Sequence, residues 1–351
     1  LVILSFATSL AACLAYLFAT LTRNEVKKSL PWIAFGRKMY VLHAVSVFGV
    51  MASLLILIHT HSFEYKYIWE HTSKSLPFYY QFSAMWSGQE GSTLLWMFWH
   101  GVLGCVLIFK AKEWESPVLS IVALAQVLLG SMLLGIHLFG YKFGSSPFAL
   151  MRDTMDIPVF KMNPDWVAED GTGLNPSLQN YWMVIHPPTL FLGFAACTIP
   201  AAYAIASLWV KDFTGWIKPV LPWSLFAMMI LGTGILLGGA WAYEALSFGG
   251  FWAWDPVENA SLVPWLILVA GIHTLMAYKH TGYSLHATYT FFILCFIMVL
   301  YSSFLTKSGV LGEASVHSFT DLGMSGQLVV IILAFLLPSA YLIIDRTVKK
   351  Q

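Results

Sequence analysis

The chain has 351 residues, of which 58% are hydrophobic, 16% aromatic and only 11% charged, and its formal net charge is +1. So little charge cannot cover the surface of a soluble domain of this length, and near-neutrality gives no electrostatic case for nucleic acid as a partner. Cys13, Cys105, Cys197 and Cys295 all fall inside apolar runs and no CxxC occurs, which excludes a thiol redox carrier.

Uncharged apolar runs of about 20 residues, the length a helix needs to cross the hydrocarbon core, predict an all-α polytopic membrane protein. A transmembrane β-barrel would show alternating segments of ~10 residues instead. About nine transmembrane helices are expected in a single membrane domain over 1–351. The first span is 1–21; no basic residue precedes it, unlike a cleavable signal peptide. Span two covers 40–60, with His43 near its inner end, and leads into a loop at 61–92 that holds His61, His71 and "WSGQEGS". Spans three and four are 93–109, with His100 in its upper half, and 118–139. A long loop at 141–183 then runs through "GLNPSLQNYWMVIHPP" into span five at 184–209. Span six is 222–241, and a tryptophan-rich loop at 242–261 separates it from span seven at 262–278. Span eight at 287–306, a loop at 307–326 and span nine at 327–344 complete the series. Residue 1 is Leu rather than Met and the chain stops just after an apolar run, so a processed chain or part of a longer one is expected.

The loops alternate in charge. Arg23, Lys27, Lys28, Arg37 and Lys38 follow span one, Lys110 and Lys112 follow span three, and Lys211 and Lys218 follow span five. Lys279 follows span seven, and Arg346, Lys349 and Lys350 follow span nine. Basic loops stay cytoplasmic, so the N-terminus is expected outside and the C-terminus inside. The loops 61–92, 141–183, 242–261 and 307–326 then share the outer face, where two of them are long for simple connections.

Most of the eleven histidines need no special role. His59, His61, His71, His137, His280 and His286 lie near loops or span ends, where water or headgroups solvate an imidazole. His186 opens span five ahead of Pro187 and Pro188, a pair that fixes the backbone where missing N–H donors cost nothing. It reads either as an interfacial histidine or as a metal ligand, and so does His317 on the last outer loop. His273 lies about 11 residues into span seven, ~17 Å deep, where an ionisable group is a functional candidate by default.

The tryptophans admit two readings. Trp241, Trp252, Trp254 and Trp265 could form an interfacial aromatic belt. In "FGGFWAWDPVENASLVPW", however, Gly249-Gly250 permits close backbone approach, and Trp252 and Trp254 share a face if the segment is extended. Asp255-Pro256 starts a turn, with Asp255 a cap for the next helix and Glu258 a hydrogen-bonding scaffold rather than an acid/base pair. A platform of rings with histidines on the same side points to a flat ligand with a metal centre, haem.

"WAWDPVENASLVPWL" resembles the tryptophan-rich WWD signature of the haem-handling proteins of cytochrome c maturation, and "DPVENAS" is closer to the CcmF/NrfE branch than to the CcsA branch. "WSGQEGSTLLW" at 86–96, "GLNPSLQNYWMVIHPP" at 173–188 and "FLTKSGVLGEASVHSF" at 304–319 extend the likeness across about 40–320, in the family's order. Phe251 stands where a tryptophan is common. The resemblance implies a haem lyase subunit in the bacterial inner membrane, acting on the periplasmic side. It would hold haem b and present it for thioether attachment to the CxxCH segment of an apocytochrome c. His186 and His317 correspond to the two outer-face ligands of the haem iron. Trp241, Phe251, Trp252, Trp254 and Asp255 belong to the haem-binding loop region. His273 corresponds to one ligand of a second, membrane-embedded haem b, whose other ligand lies in a later span that is absent here. Implied partners are a haem chaperone, apocytochrome c, other cytochrome c maturation subunits, quinol and membrane lipid.

Two other classes compete. An ion-translocating subunit usually buries Lys, Asp or Glu at mid-membrane, and the nine spans as bounded above contain none. A haem exporter, or a haem-binding quinol-oxidising subunit without ligation activity, would use the same histidines and is separated only by whether c-type cytochromes lose covalent haem with the chain.

Overall fold

A computed structural model describes the chain apart from residues 139, 248, 316–318, 320, 321 and 349–351. Helix dominates, because apolar runs without water must satisfy their backbone groups internally. In order come α1 (Val2–Leu21), α2 (Val26–His59), two short helices α3 (Lys66–His71) and α4 (Phe78–Trp86), then α5 (Gln89–Lys110) and α6 (Glu115–Ser131). A two-stranded hairpin, β1 (Ile136–Leu138) with β2 (Tyr141–Phe143), pairs antiparallel with His137 opposite Lys142. The short α7 (Met151–Thr154) and α8 (Pro158–Met162) precede α9 (Trp182–Val210), α10 (Ile217–Ala245), α11 (Pro256–Thr281), α12 (Leu285–Lys307) and α13 (Ser325–Ile343). Among the described residues nine helices are long and apolar enough to cross a membrane, in the expected order.

The centre of the bundle is α9. Its stretch from Gly193 to Leu208 is buried throughout and rich in Ala, so α10, α12, α5 and α6 approach its backbone closely. Gly193 faces Leu231 of α10, and Gly234 of α10 faces Leu190; a Cβ at either glycine would lie within 3 Å of the opposing Cα. Large rings fill the remaining space, among them Trp96, Trp216, Tyr40, Tyr203 and Tyr289.

Several helices run past their expected ends. α2 starts at Val26, so His43 lies in the middle of a 34-residue helix, fully buried, with Nδ1 bonded to Ser5 O at 2.8 Å. α6 ends at Ser131, eight residues early, because Gly135, Gly140 and Gly144 take positive φ and turn the chain into the hairpin. The expected loop 61–92 contains α3, α4 and the first residues of α5. The longer helices also carry buried charges at their ends. Glu115 is held by Arg37 Nε at 2.7 Å and by Tyr16 Oη at 3.3 Å, and Lys307 closes α12.

Candidate functional site

Parts of all four expected outer loops meet at one end of the bundle around a cavity of about 660 Å³, within the range of small-molecule and cofactor pockets. Residues from the starts of α9 and α11, the ends of α10 and α12, and the α4–α5 joint line it. Leu190, Phe191, Phe194 and Ile235 supply apolar wall, while Ser92, Ser303, Thr306, Lys307 and Glu258 supply polar wall.

His186 sits in this wall. Its Nδ1 is 2.8 Å from Gly234 O, and a carbonyl can only accept, so Nδ1 carries a proton; in the neutral form of the ring Nε2 is then the basic nitrogen. Gly238 gives the ring its space: a Cβ there would lie 2.7 Å from His186 Cε1. A neutral imidazole oriented through a second hydrogen bond is the usual state of a histidine that ligates iron, so these residues fit a haem. Helix α9 begins at Trp182, not at His186, and so the proline pair lies inside the helix. Pro187 therefore leaves Met183 O without its helical donor. Trp86 fills the gap, its Nε1 donating to Met183 O at 2.9 Å. The tryptophan of "WSGQEGS" thus repairs the break beside the histidine.

The tryptophan-rich loop divides into wall and rim. Trp241 is buried in the wall and donates from Nε1 to Ser177 O at 2.9 Å, fastening the 173–181 segment to α10. Trp252 also lines the cavity, and its buried Nε1 has no hydrogen-bond partner among the described residues. Trp254 is 70% exposed and has φ +59°, so the segment is not extended there; its ring meets Trp252 edge to face at 6.1 Å. Phe251 packs on Gly239, where no Cβ would fit. Asp255 caps α11, accepting from Val257 N at 2.8 Å, while Glu258 Oε2 accepts from Ala253 N at 2.9 Å and Asp255 N at 3.2 Å. Asp255 and Glu258 thus serve as cap and scaffold, a capping box. Ser315 donates to Asp255 Oδ1 at 2.7 Å and ties the last outer loop to this one.

Behind the cavity the α4–α5 joint is braced by Tyr67, whose Oη donates to Met85 O at 3.0 Å and accepts from Gly88 N at 3.1 Å. Burial pushes this phenol well above its ordinary pKa. Gly88 is small because the Tyr67 and His71 rings lie against it, and Gly91 because Met85 O and Tyr67 Oη do. Segment 170–175 docks alongside: Asp170 Oδ1 accepts from Lys74 N and Gly171 N, each at 2.8 Å, and the Lys74 N–H bond first of all holds its carboxyl below the usual range.

The other histidines disperse. His317 lies outside the described residues. His273 is exposed on the flank of α11, about 26 Å along it from Pro256, with Nδ1 bonded to Val269 O at 2.8 Å. His100 is buried between helices, with Nε2 bonded to Thr198 Oγ1 at 2.8 Å and its ring stacked on Trp96. Neither His100 nor His43 faces outward, where His273 points. Trp265 packs α11 on α10, donating to Met228 O at 2.9 Å. Three residue groups escaped the sequence reading: Trp86, Lys307 and the glycines of "GTGILLGG". A glycine stripe at helical spacing beside a proline-broken helix was the available signal.

The family model for cytochrome C assembly proteins matches residues 86–311, which contain the cavity apart from Phe319. CcmF of Haemophilus influenzae is 36% identical over 292 residues, 82% of this chain and 42% of the relative. CcmF of Pseudomonas aeruginosa is 39% identical over 279 residues, 78% of this chain and 39% of the relative. The ccl1 biogenesis protein of Rhodobacter capsulatus is 31% identical over 336 residues, covering 94% and 48%. A solved structure of the cytochrome c haem lyase CcmF superposes with TM-score 0.71 at 26% identity, over 97% of this chain and 53% of that one. The chain spans about two-fifths to one-half of the length of these proteins. It belongs to the cytochrome c assembly protein family.

Proposed function

We propose that the chain is the haem-holding part of a cytochrome c haem lyase. The cavity receives haem b as substrate, His186 and His317 bind its iron, and the vinyl edge is offered to the cysteines of an apocytochrome CxxCH segment. One observation carries the reading: a cavity of haem-compatible size whose wall holds an imidazole fixed through Nδ1, with Trp241 and Trp252 beside it. In the reaction each thiol adds across a vinyl group; sulfur bonds one carbon, the thiol hydrogen goes to the other, and nothing else is consumed. The chain's contribution is orientation. His186 sets the position of the iron, Trp241 and Trp252 bound the ring, Phe251 and Trp254 form the rim, and Asp255 and Glu258 hold the loop in shape.

The four loops 61–92, 141–183, 242–261 and 307–326 face the periplasm in this reading, with the N-terminus outside and the C-terminus in the cytoplasm. Their convergence on one cavity and the basic residues of the opposite loops support that placement. A second haem b is assigned to His273. That imidazole faces away from the bundle, so its partner ligand must come from another segment or subunit. A haem chaperone, the apocytochrome, other maturation subunits and quinol are the partners. The test is loss of the chain: c-type cytochromes should lose covalent haem, read by pyridine haemochrome, while b-type haem synthesis continues. Normal covalent attachment would point to haem export or haem binding without ligation.

A further inference from the structure

We propose that Lys307 anchors a carboxylate of the cavity's ligand, a haem propionate, and so decides which edge of the ring faces the incoming thiols. The assignment rests on the function proposed above and adds a polarity to it.

Lys307 is 2% exposed and lines the cavity with Ser92, Ser303 and Thr306. Its Nζ donates to Gln89 O at 3.1 Å and to Ser92 Oγ, and the Phe319 ring centroid lies 5.2 Å away. Those contacts aim the ammonium but bring no negative charge. Among the described residues no carboxylate forms an ion pair with it; the nearby Glu90 instead accepts from Ser145 Oγ. A buried ammonium with no ion pair among the described residues, and only Glu90 nearby, is costly to hold, and an occupant that carries a matching negative charge recovers that cost. Haem does so, because its two propionates share one edge while its vinyl groups lie away from it.

The rest of the wall enforces one direction. Glu258 also lines the cavity, and its buried Oε1 has no hydrogen-bond partner among the described residues. A propionate turned toward the start of α11 would meet this carboxylate, whereas one turned toward the end of α12 and the start of α5 meets the ammonium. An attractive group on one wall and a repulsive one on another is how a site rejects the reversed pose. Leu190, Phe191, Phe194 and Ile235 take the methyl and vinyl substituents. Lys307 is here a positioning residue: it touches the substrate's carboxylate, not the reacting vinyl carbons.

The test uses the detergent-solubilised full-length protein, titrated with protohaem and with its dimethyl ester, which keeps the ring, iron and vinyl groups but removes both charges. Soret absorbance reads binding, and His186→Ala supplies the background. Wild type should prefer the diacid about 10-fold or more, the worth of one charge-assisted contact. Lys307→Gln should bind the two ligands alike, and Lys307→Arg should restore the preference. Equal binding by wild type, or a preference that survives Lys307→Gln, overturns the assignment while haem retention through His186 stands. Failure of wild type to bind either ligand removes the proposed function and this inference together.

Discussion

Gly238→Ala places one methyl group against the imidazole on which the account depends. The new Cβ would lie 2.7 Å from His186 Cε1, against an optimal carbon–carbon separation of about 3.5–4.0 Å, so one of the two must move by about 1 Å. The ring has little freedom: Nδ1 is held to Gly234 O at 2.8 Å, and Pro187 stiffens the following backbone. The methyl group cannot retreat either, because it is fixed to the α10 backbone, where α9 and α10 pack closely at Gly193 and Gly234. Overpacking of this kind costs about 1–3 kcal/mol. Charged to the histidine's position, that is roughly a 5- to 150-fold loss of haem affinity. The assay is Soret titration of the solubilised full-length protein, with covalent cytochrome c measured per unit of inserted protein. Gly326→Ala is the control, since no described residue lies within 4 Å of its Cβ position. Gly238→Ala should lower affinity and maturation with normal insertion, and Gly326→Ala should change neither. Wild-type affinity in Gly238→Ala would refute the claim that this glycine sets the imidazole.

Trp86→Phe should destabilise the protein by about 1–3 kcal/mol by leaving Met183 O without its donor, read as a lower thermal midpoint. Pro187→Ala restores the helical N–H, so the same substitution should cost less in that background; equal costs would deny the repair role. Trp252→Ala should weaken haem retention more than Trp254→Ala, whose ring is at the rim, and Trp265→Ala should act on stability alone. Comparable effects at all three positions would favour an interfacial belt. His273→Ala should leave cavity haem intact and abolish a separate low-spin haem b signal of the complete assembly. Dependence of that signal on His43 or His100 instead would contradict the outward-facing site.

Sequence alone made the membrane class and span order readable, because hydrophobic length is a one-dimensional property of the chain. The same was true of the Asp255 cap and its Glu258 partner, whose spacing is local. What stayed hidden depends on contacts distant in sequence. No local signal says that Trp86 donates to Met183 O, or that Gly238 faces His186, until α9 and α10 cross. Lys307 reads as loop because it ends an apolar run; contacts distant in sequence, with Gln89 and Ser92 of α5, hold it in the interior. Charge patterns misplaced the start of α2, since its first turns carry Lys27 and Lys28 and stay helical outside the apolar stretch. Trp254 shares a face with Trp252 only if the segment is extended, and its positive φ breaks that alternation.

Every role proposed for the cavity depends on His186 binding the iron of a haem held there. The most direct measurement is the optical spectrum of the haem-loaded full-length protein and its His186→Ala variant, with and without added imidazole. An imidazole-ligated, low-spin spectrum is expected in the wild type, with its loss in His186→Ala and its partial return with imidazole. A low-spin spectrum unchanged by His186→Ala would contradict it.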